Sequence, residues 1–367
     1  MSDLGAQLQL GGRQVLVVGG PARALGLLGR LLDRGARVTV VAPQVATSIQ
    51  DLAERHALTW HARAYTATDL DGIALLVVCP GSDDEPELRD SLQRAAADAN
   101  TADILIAELE TRPGTLREPA AATAGGPGSV ALVGGGPGDP GLITVAGLAA
   151  VHGADVLVVD RLAPLEVLRD LPPHVEVIDV AKIPRGRFTP QERINEVLIE
   201  HARAGKRVVR LKGGDSFVFG RGMEEVIACR EADIPVEVVP GVTSAVAAPE
   251  LAGIPVTHRG VVQGFAVVSG HAAPDDPRST VDWAALAASG VTIVILMGVE
   301  TLPRIAATLL AGGRAAQTPV ACVMEAASAR QRVVSTTVGA LAREGTPDGI
   351  APPAVTVIGD VAAFAVP

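Results

Sequence analysis

The chain has 367 residues, enough for two or three domains, and its 48% hydrophobic and 20% charged residues describe a globular protein rather than a disordered one. Aromatic residues make up only 2% and the formal net charge is −10, which removes the stacking platforms and the basic stripe that nucleic-acid binding needs, so no nucleic-acid partner is expected. The three cysteines, Cys79, Cys229 and Cys322, are far apart, match no metal spacing and fit a reducing cytoplasm, so neither a disulfide framework nor a metal is expected. The opening stretch MSDLGAQLQLGG has no basic segment leading into a long apolar run, and no uncharged apolar stretch approaches the ~20 residues of a membrane span. A cytoplasmic chain with no membrane partner is expected.

Arg13 to Val18 reads as a buried strand running into Gly19-Gly20. A helical stretch follows, ending near Asp33-Arg34-Gly35, and then a strand Val38–Ala42 stopped by Pro43. Strand, glycine turn, helix and strand make a parallel βαβ unit. With a further strand at Ile73–Cys79, residues 1–110 are expected to form a Rossmann-like domain. From Thr111 to Ser129 the sequence TRPGTLREPAAATAGGPGS loses every apolar period, so 111–128 is expected to be a linker. A second α/β region starts at residue 129, with strands expected at Val130–Val133, Val156–Val159, Val208–Leu211, Val236–Val239, Phe265–Val268, Thr292–Met297, Val320–Val323 and Val355–Ile358. Helical segments alternate with many of them. The fold class is α/β throughout.

Glycine and proline cluster after several of these strands, where ligands bind in open α/β sheets. Gly134-Gly135-Gly136-Pro137-Gly138-Asp139-Pro140 follows the first strand of the second region. It is either a ligand loop or a tight strand-to-helix turn, and without a following Lys-Ser/Thr pair it is no phosphate loop. Asp160 and Arg161 end the strand Val156–Val159, as a cleft acid–base group or as an exposed strand-end ion pair. Lys212-Gly213-Gly214-Asp215 ends the next strand and leads into Phe217-Val218-Phe219-Gly220-Arg221-Gly222. Pro240-Gly241-Val242-Thr243-Ser244-Ala245 opens a helix with hydroxyls placed to cap it. His258 and His271, in THRG and VSGH, are substrate contacts or structural histidines.

Taken in order, VALVGGGPGDPGLIT, ADVLVVDRL, GKRVVRLKGGDSFVFGRG, GIPVEVVPGVTSA, AGIPVTHRG and TPVACVMEAASARQRVV resemble the tetrapyrrole methylases, and within them the uroporphyrinogen-III C-methyltransferases. The resemblance implies two α/β subdomains, 129–244 and 245–367, with S-adenosylmethionine in the cleft between them and a homodimeric assembly. It implies a polycarboxylated tetrapyrrole substrate. Carried over position by position, it makes Pro137, Gly213, Gly214, Asp215, Val218, Thr243, Ser244, Met297 and Ala326 cofactor contacts, Asp160 the proton acceptor and Lys182 the proton donor. Arg161, Lys182, Arg185, Arg187, Arg221 and Arg259 are candidate clamps for the substrate's carboxylates, since a guanidinium binds carboxylate bidentately; any one of them can equally be a solvated surface charge. The chain departs from the family pattern at Ser216, Val159 and Arg187, where proline, tyrosine and histidine are common.

Residues from about 8 to 110 resemble the precorrin-2 dehydrogenase part of siroheme synthase through LQLGGRQVLVVGG, LLDRGARVTVVAP and the segment Tyr65 to Leu70. Here Pro21 stands at the third glycine of the nucleotide loop, Gly26-Leu27 replaces an Arg-Lys pair, and Cys79-Pro80-Gly81 replaces an Ala-Thr-Asp segment. Pro21 removes an N–H that would face a pyrophosphate. Asp103 aligns with the catalytic aspartate of that family, and its chelatase region has no counterpart. The expectation is a degenerate Rossmann domain kept for packing, with weak or absent NAD binding and no ferrochelation. Two alternatives remain: a bifunctional chain that also oxidises its product with NAD, and a non-catalytic cofactor-binding regulator.

Overall fold

A computed structural model describes residues 10–79, 91, 94–99, 104–108, 128–180 and 189–366. Lys182, Arg185, Arg187, Asp103, Pro80, Gly81 and residues 111–127 of the expected linker lie outside the described residues.

The described residues form three five-stranded sheets. The first uses β1 (Gln14–Val18), β2 (Arg37–Val41), β3 (Thr59–His61), β4 (Leu75–Val78) and β5 (Leu105–Glu108), all parallel and ordered β3-β2-β1-β4-β5. The second uses β6 (Ser129–Gly134), β7 (Val156–Val159), β8 (Glu176–Asp179), β9 (Arg207–Lys212) and β10 (Val236–Val239), again all parallel, ordered β10-β6-β9-β7-β8. The strands β4 and β7 read LLVV and VLVV and are buried at every position, as strands covered on both faces should be.

The third sheet contains β11 (Phe265–Ser269), β12 (Thr292–Leu296), β13 (Pro319–Met324), β14 (Arg332–Thr337) and β15 (Ala354–Ile358), ordered β11-β12-β15-β13-β14. It is mixed: β15 runs antiparallel to both of its neighbours, and β13 pairs antiparallel with β14. Because β12 and β13 both oppose β15, they run the same way and end at one edge of the sheet.

Two compact units emerge. One takes in the described residues up to Gly135 together with Ile143–Gly241; the other takes Gly136–Leu142 and Val242 onward. The first unit therefore holds two sheets, and a single apolar core joins them. Helix α1 (Leu25–Asp33) presents Leu25, Leu28 and Leu31 at helical spacing. These share a core with Val133, Leu157, Val159, Val167 and Leu168 of the 129–241 part. Each fully buried leucine contributes roughly 1.5–3 kcal/mol. At Gly26 the backbones come close: a Cβ there would sit 2.6 Å from the Leu165 carbonyl. The departure from the dehydrogenase pattern at Gly26 thus has a steric cause, since no larger residue lets α1 rest on the 3-10 turn Leu165–Asp170.

Among the described residues, no helix is long and apolar enough to cross a membrane, and no cluster of three metal-binding side chains occurs. All three cysteines are buried thiols.

Candidate active site

In the first unit the site is built where β7 and β9 end side by side. The parallel register sets Val158 opposite Arg210 and Val159 opposite Leu211. Asp160 is the residue after β7. Its Oδ1 accepts from the Leu162 amide at 3.1 Å, and its Oδ2 accepts from Arg210 Nη2 at 3.0 Å. Two donors from different directions fix the plane of the carboxylate, while the side chain keeps 24% exposure. A carboxylate that is oriented from behind and reachable from the front has the form of a proton acceptor.

Arg210 and Lys212 lie two apart on β9, so both point to the same face of the sheet. Both are buried, and between them sits Glu225, fully buried, on the helix Gly222–Glu231. Glu225 Oε1 accepts from Arg210 Nε at 3.2 Å, Lys212 Nζ at 3.1 Å and Gln191 Nε2 at 3.2 Å. Arg210 also donates to the carbonyls of Val158 and Leu211. Two cations and two carboxylates thus balance around the end of β7. Burial, and then the Arg210 charge, push the Lys212 ammonium below its ordinary pKa despite the Glu225 contact.

Glycine permits the loops beyond these strands to interlock. A Cβ on Gly213 would lie 2.2 Å from the Leu162 carbonyl; one on Gly241 would lie 2.4 Å from the Gly214 carbonyl and 2.5 Å from Gly134. Asp215 ties this arrangement together, accepting from the Phe217 amide at 2.9 Å and the Gly241 amide at 3.0 Å. Val218 is half-buried in the same loop. The result is an interlocked backbone ledge in which no side chain fits at Gly213 or Gly241. Replacing Gly213 with alanine is expected to cost about 1–3 kcal/mol, because the Leu162 carbonyl cannot yield without moving the Asp160 turn. A lowered melting temperature together with weakened S-adenosylhomocysteine binding checks this.

The second unit carries the remaining candidates. Thr243 is the N-cap of the helix Ser244–Leu251, its hydroxyl accepting from the Ala245 amide at 3.3 Å. Met297 and Ala326 follow β12 and β13 and so emerge at the same sheet edge. Met297 is half exposed and held at φ 56°, and Glu325 and Ala327, flanking Ala326, sit at φ 48° and 64°. Thr292–Met297 was the expected strand; the left-handed backbone at Met297 ends it at Leu296. Pro137 is half-buried, and its neighbour Gly138, at φ 143°, lies near the Ala326 carbonyl. In the first unit Phe219 and Arg221 are also left-handed, at φ 57° and 58°. Non-glycine residues held at positive φ at strand ends are a recurrent mark of ligand loops.

The candidate clamps fare differently. Arg221 is exposed and bidentate to Glu224. Arg259 is exposed. Arg161, half-buried, lies 3.7 Å from the carboxylate of Asp51. His258 and Phe364 stack at a tilt, 5.3 Å apart. Arg210, Lys212, Glu225, Gln191 and Asp51 carry no role in the sequence motifs. The available signal was the pair of cations inside the apolar strand RVVRLK, which a buried strand tolerates only with partners.

Residues 6–108 match a family model described as "Putative NAD(P)-binding". The uroporphyrinogen-III C-methyltransferase of Methanocaldococcus jannaschii is 48% identical over 235 residues, covering 64% of this chain and 96% of that protein. The siroheme synthase of Tolumonas auensis is 48% identical over 238 residues, 65% of this chain but only 50% of that protein, so the chain spans about half the length of this relative. A crystal structure of the uroporphyrin-III C-methyltransferase of Thermus thermophilus complexed with S-adenosylhomocysteine is 39% identical, with a TM-score of 0.55, covering 64% of this chain and 99% of that one. Residues 129–342, more than half of the chain, match the model for Tetrapyrrole (Corrin/Porphyrin) Methylases, and the chain belongs to that family.

Proposed function

We propose that this chain is an S-adenosylmethionine-dependent methyltransferase that converts uroporphyrinogen III to precorrin-2 by methylating two pyrrole carbons, acting in the cytoplasm as a homodimer. The observation that carries this reading is Asp160, oriented by Arg210 and the Leu162 amide at the end of β7, beside an interlocked glycine ledge in a tetrapyrrole methylase. The relatives that share most of this chain's methylase part bear that activity in their names.

S-adenosylmethionine supplies an electrophilic sulfonium methyl, so the protein's task is alignment, which can lower a barrier by up to roughly 7–11 kcal/mol. Gly213, Gly214, Asp215 and Val218 are the proposed cofactor contacts of the first unit; Pro137, Thr243, Ser244, Met297 and Ala326 are those of the second. The side-chain-free backbone at Gly213 and Gly214 and the hydroxyl and apolar groups of the second set suit a nucleoside with an amino-acid tail. Once the carbon–carbon bond forms, the macrocycle gives up a proton, and Asp160 accepts it. Lys182 serves as proton donor in this reading. Arg161, Arg185, Arg187, Arg221 and Arg259 grip the substrate's carboxylates.

Phe217, Phe219, Met223 and Ile227 leave a large apolar surface exposed around the start of the helix Gly222–Glu231, which supports self-association. Light scattering is expected to return twice the chain's mass; a monomer at micromolar concentration removes that part of the proposal. The catalytic part is tested with methyl-labelled S-adenosylmethionine under anaerobic conditions. Transfer of two labels per tetrapyrrole supports it. S-adenosylhomocysteine binding without any transfer points instead to a regulator.

A further inference from the structure

The N-terminal sheet changes direction between β1 and β4, the position where a Rossmann fold admits a dinucleotide beyond the strand ends. In this chain the surrounding positions are taken. Gly19, at φ 92°, presses on the end of β4: a Cβ there would lie 2.3 Å from the Cys79 carbonyl. Gly20 is covered by Val45, whose Cγ1 would be 2.3 Å from a Cβ. Pro21 offers no amide. Arg23, in the first turn after the loop, points its guanidinium into the methylase part and donates to the carbonyls of Pro172, Pro173 and Val175.

The second helix of the domain, α2 (Thr47–Glu54), repeats the pattern. Its N-cap residue is Ala46, which has no side chain with which to cap. The cap comes from the end of β8 instead. Asp179 Oδ2 accepts from the Ser48 amide at 2.7 Å and Oδ1 from the Ser48 hydroxyl at 3.2 Å. A carboxylate from 131 residues away thus does what an N-cap aspartate or a bound anion would do. One turn further along α2, Asp51 is buried, with Oδ2 at 3.6 Å from Arg55 and 3.7 Å from Arg161. Those distances are ion-pair contacts, and no hydrogen bond reaches that oxygen. Arg161 follows Asp160 directly.

We infer that the N-terminal domain has exchanged dinucleotide binding for a second role: its crevice receives residues 161–179 of the methylase, and Asp51 is a positioning residue that holds Arg161 for the tetrapyrrole's carboxylates. The second half rests on the function proposed above. The geometry accounts for three departures from the dehydrogenase pattern at once. Pro21 forfeits an amide that no pyrophosphate needs, Gly26 admits the Leu165 carbonyl, and Leu27 packs half-buried on the shared core. It also gives the buried Asp51 carboxylate a use beyond its helix neighbour Arg55.

The test uses the full chain. Asp51→Asn is expected to raise KM for uroporphyrinogen III on the order of tenfold, with kcat and S-adenosylhomocysteine affinity unchanged, and Asp51→Glu is expected to recover part of the loss. A merely structural role would lower the melting temperature and kcat together without a selective rise in KM, and that pattern overturns the positioning claim. NAD+ and NADP+ titrated against the intact chain are expected to give no saturable binding, whereas micromolar binding of either overturns the docking claim. Hydrogen exchange reads docking without activity. Asp179→Ala is expected to speed exchange in both α2 and residues 161–179, and unchanged protection in both sets contradicts the inference. If the wild-type chain fails to methylate uroporphyrinogen III, the function fails while the titration and exchange results still decide the docking.

Discussion

Asp160→Ala is expected to lower kcat for methylation of uroporphyrinogen III by about 10²–10⁴-fold, the range for loss of a positioned acid–base group. S-adenosylhomocysteine affinity should stay within about twofold, because Asp160 contacts the Leu162 amide and Arg210 rather than the glycine ledge. The alanine chain should also fold. Arg210 loses one partner but keeps Glu225 and two carbonyls, so no buried cation is stranded. Asp160→Asn is the matching control: it preserves shape and removes the basic oxygens, and it should be nearly as slow as alanine. Single-turnover rates with saturating cofactor measure the chemical step directly. Equal losses in turnover and cofactor affinity would mean that Asp160 holds the loop and does not accept the proton.

The largest expected loss of stability comes from Glu225→Ala. Glu225 is fully buried and is the acceptor shared by Arg210, Lys212 and Gln191. Removing it takes the shared carboxylate from two buried cations and leaves Arg210 with Asp160 and two carbonyls. Breaking a buried pair from one side costs about 3–5 kcal/mol, because the surviving charge has lost its compensation. Denaturant unfolding should show the midpoint fall without a change in slope. The triple replacement Arg210→Met, Lys212→Met, Glu225→Leu should recover most of that stability, since an apolar cluster of similar volume has no charge to compensate. It should still be slow in catalysis, because Asp160 loses its Arg210 contact. Stability regained with activity still missing is the signature of a network kept for orientation. A triple variant as unstable as Glu225→Ala would show that the charges themselves hold this part of the fold.

The sequence made legible what repeats locally. β1 and β7 read QVLVV and VLVV, short apolar runs whose burial leaves no polar alternation to confuse the reading. The cap at Thr243 was legible for the same reason: hydroxyl, helix and turn are adjacent in the chain. What escaped was set at a distance. β3, β8 and β14 were not expected as strands, and each lies at a sheet edge, with one neighbour and with exposed or half-buried side chains. The antiparallel placement of β15 leaves no trace in AVTVI, which reads like any buried strand. Asp160, Gly213, Met297 and Ala326 follow β7, β9, β12 and β13 within two residues, so their place at strand ends is local information. The groups behind them did not announce themselves, because Glu225 and Gln191 look like ordinary polar helix residues until two buried cations are found pointing at them. Arg23, Ser48 and Asp51 are similar: each reads as an ordinary polar residue of a Rossmann domain until a partner more than a hundred residues away is found beside it.

Mass spectrometry of the product formed anaerobically from uroporphyrinogen III and S-adenosylmethionine tests the central claim most directly. The expected product is a tetrapyrrole heavier by two CH2 units, the same whether or not NAD+ is added. Unchanged uroporphyrinogen III, despite bound cofactor, would contradict it.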